Sequence, residues 1–160
     1  MEIPSRFRVY ETDFWLINHR LDSALPGYLM LGSKLPIGDL SEVPDNALAT
    51  VGPLLARTQK ALRTRLYPIR IYIGRYGHSH GYSVHFHLIP IYDWVEKLFW
   101  CDERYRVLQQ FAEKGRELTP DGAELTLFIW REFCERLNPP PIIGPSIDEA
   151  IVMLRAEMNG

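Results

Sequence analysis

The sequence predicts an α+β fold, and three patterns predict it. Two short apolar runs flank a Pro-Gly turn, one long run carries apolar residues at helical spacing, and two later stretches alternate apolar and polar residues. Phe14 to Asn18 (FWLIN) and Tyr28 to Leu31 (YLML) are the first two strands, an antiparallel pair joined through Pro26-Gly27. From Asp45 to Leu66 the residues Leu48, Val51, Leu55, Leu62 and Leu66 recur with the period of an amphipathic helix that packs on that sheet. Gly52-Pro53 is expected to kink or split it. Ile69 to Gly74, with Ile69, Ile71 and Ile73 on one face, and Tyr82 to Ile91 are the next two strands, linked by the Gly-rich RYGHSHG.

Past Trp94 the texture turns helical. Glu103 to Lys114 reads as one helical segment, and Thr119 to Leu137 as another that opens with Thr-Pro-Asp as cap and first turn. PPPIIGP breaks the chain. Ser146 and Glu149 then form a capping-box pattern, in which each side chain can satisfy an amide at the start of a helix over Ile147 to Met158. The chain thus divides into a core over residues 1–94 and a helical extension over 95–160 packed on the same domain, where it could serve as a lid or an oligomer contact.

Bulk composition narrows the function. A chain of 160 residues that is 46% hydrophobic suits one well-cored domain. A formal charge of −2 and a pI near 6.2 argue against a nucleic-acid polymer as partner, because neutralising many phosphates takes clustered Lys and Arg. Any phosphate recognition is expected to be local. Cys101 and Cys134 lack metal-binding or disulfide-framework spacing and are expected to be reduced and buried. No stretch approaches the ~20 apolar residues that span a bilayer, and MEIPSRFRVYETDF does not resemble a signal peptide, so the expectation is a cytoplasmic protein without a membrane partner.

Residues 78–90, HSHGYSVHFHLIP, hold four of the five histidines. On a strand, Ser83, His85, His87 and Ile89 point one way, while Val84, Phe86 and Leu88 point to the core. Three readings compete: His85 and His87 as incidental polar residues on an open sheet face; His78, His80, His85 and His87 as metal ligands, although the run has no acidic residue to complete the set; or one imidazole as a nucleophile toward phosphorus.

SVHFHLIP resembles the signature of the histidine triad (HIT) family, in which three histidines alternate with apolar residues. FWLINHRLDSALPGYLML is similar to the family's opening hairpin, and DLSEVPDNALATVGPLLARTQKAL to its Asp-Leu link and long helix, so the resemblance spans Asp13 to Tyr92. It implies an antiparallel sheet flanked by helices, usually dimeric, that binds a nucleotide; no metal or cofactor is expected.

By that resemblance Ser83, His85 and His87 are the catalytic positions. His85 would attack the α-phosphorus of a dinucleoside polyphosphate or nucleotide conjugate, and water would resolve the nucleotidyl-histidine. His87 would orient His85. Asn18 would contact the ribose or cap the turn, and Ser79 and His80 would hold the phosphate. His78 and His19 are expected to be loop and turn residues. Ser83 replaces the first triad histidine, Tyr28 stands where histidine is common and Ile91 where arginine is common; the last two are not expected to carry chemistry. The alternative is a nucleotide-binding module with weak or no turnover.

Overall fold

The computed structural model describes residues 2–77, 81–106 and 122–160. Five strands, β1 (Arg8–Glu11), β2 (Trp15–His19), β3 (Leu29–Ser33), β4 (Arg70–Gly74) and β5 (His85–Ile91), form one sheet in the order β1-β2-β3-β5-β4. Every pairing is antiparallel. The expected hairpin is β2–β3. Its turn depends on Gly27, which sits at φ +79° with room for no side chain, since a Cβ there would lie 2.5 Å from Leu66 Cδ1. Strand β5 begins at His85, three residues later than the alternation suggests. Val84 instead donates its amide to Ile37 O at 2.7 Å and accepts from the Ser33 amide at 2.7 Å, so the loop after β3 has captured this part of the chain.

Helix α1 (Asp45–Leu66) has the expected bounds and runs unbroken through Pro53. The proline costs little there because it is exposed, and the carbonyl of exposed Ala49, which loses its amide partner, can turn to water. The buried side of α1, Ala47, Leu54, Ala61, Leu62 and Leu66, meets Trp15, Ile17, Leu29, Leu31 and Leu88 of the sheet. Helix α5 (Ile147–Asn159) closes the same core with Ala150, Ile151, Leu154 and Met158. Its capping box is formed: Glu149 N donates to Ser146 Oγ at 3.3 Å, and Ser146 N donates to Glu149 Oε2 at 2.8 Å. Each fully buried leucine contributes roughly 1.5–3 kcal/mol relative to exposure, so this layer fixes which face of β5 turns inward.

The other face of the sheet is covered at one end only. Helices α2 (Asp93–Cys101), α3 (Glu103–Arg106) and α4 (Gly122–Ile129), with a π-helical turn over Trp130–Glu135, bring Val95, Phe99, Tyr105, Leu125, Phe128 and Phe133 onto Ile89 and Ile91. The expected helix Glu103 to Lys114 is described only to Arg106, and Thr119 to Asp121 also lie outside the described residues. Contrary to expectation, Cys101 is exposed and Cys134 half-buried. Cys101 is the last residue of α2, a helix whose buried side is carried by Val95 and Phe99. Among the described residues no helix is long and apolar enough to cross a membrane.

Candidate active site

The sheet register builds the site. Cross-strand partners share a face, so the pairings Asn18–Met30, Met30–His87 and His87–Gly74 set these residues in one row, and Leu16–Gly32–His85 in the next. His85 and His87 therefore lie side by side with ring centroids 5.2 Å apart, facing away from the α1 core as the alternation requires. Along that face β5 changes character. Ile89 and Ile91 are sealed under the helical extension, and the histidines begin where this cover ends.

His85 is half-buried, and its Nδ1 lies 2.8 Å from the carbonyl oxygen of Ser83. A carbonyl only accepts, so Nδ1 carries the proton and the Nε2 lone pair is left free. The chain approaches that nitrogen through Gly77, at φ +75°, where an added Cβ would sit 3.5 Å from Nε2. Glycine allows both the left-handed backbone and the open space beside the ring. Position 83 thus serves His85 through its main chain, a contribution any residue can make.

His87 is only 7% exposed, and its Nδ1 lies 3.0 Å from Tyr28 Oη. Its Nε2 is buried with no hydrogen-bond partner among the described residues. Burial, the Arg20 guanidinium and the neighbouring His85 push its pKa down to about 4, against smaller upward effects of the Tyr76 backbone and Asp22. His87 is neutral at pH 7. Tyr28, set aside in the sequence because it stands where histidine is common, is thus in direct contact with a candidate catalytic residue. That same replacement was the signal that could have found it.

Asn18 is 6% exposed, and its Nδ2 donates to His19 O at 2.8 Å, both residues lying within β2. His19 is the end of β2 and fully buried, where a turn residue was expected, with its ring nitrogens 2.9 Å from Arg20 O and 3.0 Å from Leu25 O. The hairpin loop folds back over it, and the side chain ties that loop together. Ser79 and His80, the expected phosphate contacts, and His78 lie outside the described residues. Among the described residues no group of three or more His, Cys, Asp and Glu side chains is arranged to hold a metal ion.

A separate open cleft of about 580 Å³ lies in the extension, between Arg104, Arg131 and Arg136. Its buried Glu132 carboxylate already accepts from Arg104, Tyr105 and Arg136, which marks an ion-paired brace and leaves the histidines as the candidate site.

No family model matches the chain. In sequence it is 30% identical over 89 residues to an adenosine 5'-monophosphoramidase of Saccharomyces cerevisiae, a match covering 56% of each chain, so it spans about half the length of that curated relative. In structure it is similar to a zinc-bound histidine triad family protein of Mycobacterium smegmatis, at TM-score 0.56 and 17% identity over 98% of this chain and 86% of that one. It is also similar to the diadenosine triphosphate hydrolase of Plasmodium falciparum, at TM-score 0.57 and 12% identity over 99% of this chain and 80% of that one.

Proposed function

Taking as premise the histidine triad family, which fold and sequence similarity both support, we propose that the chain is a cytoplasmic nucleotide hydrolase or nucleotidyl transferase. It cleaves at the α-phosphate of dinucleoside polyphosphates or nucleotide conjugates such as phosphoramidates. The observation that carries the reading is the pairing of a His85 whose Nδ1 is tied to a carbonyl with a buried, neutral His87 beside it. The Nε2 lone pair of His85 attacks the α-phosphorus, and the bond from phosphorus to the leaving group breaks as the P–N bond forms. The leaving group departs with a proton drawn from solvent, which is restored when the attacking water loses its own. Water then attacks the same phosphorus, the P–N bond breaks, and a nucleoside monophosphate is released.

Asn18 takes the ribose in this reading, in the same row as His87 and two strands away, about 10 Å, which suits a nucleoside lying across the sheet. Ser79 and His80 take the phosphate side. Residues 95–160 act as one folded unit with 1–94, a reading supported by the second core, in which Ile89 and Ile91 pack against α2 and α4. A homodimer is part of the same reading. Strand β4 ends the sheet among the described residues, with Ile69 and Ile73 exposed near it.

The test is turnover of a fluorogenic adenosine phosphoramidate. His85→Asn is expected to abolish it while nucleotide affinity stays within about tenfold, because a nucleophile acts mainly in the transition state. Label from an α-phosphate-labelled substrate should appear on the wild-type protein as an acid-labile adduct, and not on the variant. Unchanged turnover by His85→Asn would sink the mechanism. A nucleotide-binding module with weak turnover is the second reading, favoured by Ser83 in the first triad position, and nucleotide affinity without turnover in the wild-type protein would select it.

A further inference from the structure

Beyond the histidines, a chain of polar contacts runs from the surface of the hairpin loop to the back of His87. Asp22 holds Arg20 by two bonds, from Nε at 2.6 Å and Nη2 at 3.0 Å. Arg20 donates from Nη1 to Tyr28 Oη at 2.9 Å, and its amide also bonds the Tyr28 carbonyl at 2.8 Å. Tyr28, 2% exposed, reaches His87 Nδ1. The bidentate Arg–carboxylate pair fixes the guanidinium plane, which in turn fixes the phenol.

The direction of the last bond follows from counting donors. The Tyr28 oxygen already accepts from Arg20, and its one O–H is buried. If His87 Nδ1–H donated to that oxygen, the phenolic proton would need another acceptor, and a buried donor left without one is destabilising. Donation from Tyr28 to Nδ1 satisfies both groups. The proton of neutral His87 then sits on Nε2, the buried nitrogen that no well-formed hydrogen bond engages and that has the Tyr76 backbone as its polar neighbour.

We propose that Tyr28, clamped by Arg20 and Asp22, is a positioning residue that fixes His87 as its Nε2–H tautomer beside the His85 nucleophile. The effect on turnover rests on the function proposed above; the tautomer does not.

The groups facing this chain agree with it. Arg20, Asp22, Tyr28 and Cys134 lie behind His87, and His85 and Tyr76 lie beside it. Arg20 is held charged by Asp22, burial raises the Tyr28 pKa to about 12, and burial likewise keeps the Cys134 thiol neutral. The helical extension braces the loop through Ala24 N, which donates to Phe133 O at 2.7 Å.

Heteronuclear NMR of the imidazole nitrogens tests the assignment. In the wild-type protein at pH 7, His87 should show a protonated Nε2 and an unprotonated, hydrogen-bonded Nδ1. Tyr28→Phe should convert this to a mixture of tautomers and lower kcat on the order of tenfold or more with KM within about twofold. Arg20→Lys, which keeps a donor to the phenol, should retain more of the tautomer than Arg20→Ala. A protonated Nδ1 in wild-type His87 overturns the proposal even if no variant folds, and so does a Tyr28→Phe protein with unchanged tautomer and kcat. If His85→Asn proves active while the His87 tautomer is as stated, the proposed function fails and this assignment stands.

Discussion

The Nδ1 atom of His85 stands 2.8 Å from the carbonyl oxygen of Ser83, so the proposed nucleophile is oriented by a main-chain group two residues back along its own chain. Ser83→Ala leaves that carbonyl in place. It should change kcat/KM by no more than about threefold, under about 1 kcal/mol, and leave the melting temperature unaltered. A loss approaching that of His85→Asn would show that the hydroxyl itself takes part.

Stability should fall in mild acid because of His87. Its folded pKa of about 4 lies below the ordinary value of 6.5, so between these pH values the unfolded chain binds a proton that the folded chain refuses. Stability is fully present above pH 6.5 and declines as pH falls toward 4, by on the order of 3 kcal/mol over the full range. Burial lowers the pKa of His19 as well and adds a loss of the same sign. Urea unfolding at a series of pH values, in wild-type protein and in His87→Gln, isolates the share of His87. Parallel pH slopes in the two proteins would remove His87 as the source.

Gly77→Ala should damage turnover as well as folding. The left-handed backbone costs an L-residue about 1–2 kcal/mol, and the new methyl group stands against the His85 Nε2. A drop in kcat/KM of at least about tenfold is expected, with a melting temperature lower by roughly 2–8 °C. Kinetics that follow the wild type would place the approach to His85 on its other side.

If the exposed β4 edge joins two copies, Ile73→Lys should convert the dimer to a monomer in light scattering with its circular dichroism unchanged. The lysine is readily solvated in a monomer and costly when desolvated against a partner. An unaltered mass would assign the contact to another surface.

Local sequence order determined the strands, the long helix and the pairing of His85 with His87. Periods of 3.6 and 2 say which side of an element is apolar whatever it packs against, so the α1 face and the inward turn of Val84 and Leu88 could be read directly. The capping box at Ser146 is likewise a contact between residues three apart, and it formed as written. The resemblance over Asp13 to Tyr92 added the proposed roles of these histidines.

The tertiary structure decided the surroundings of those histidines. Burial of His87, and with it the neutral imidazole, depends on Tyr28 at the mouth of β3 and Tyr76 just past β4, which pack on the ring from other segments and which no spacing within the strand could reveal. The bond from Tyr28 joins residues 59 apart. The Arg20–Asp22 clamp is local in sequence, but its relevance to His87 exists only once β3 lies beside β5. Short-range patterning specifies faces, whereas the protonation state of a buried group is set by the desolvation and partners that distant segments bring to it.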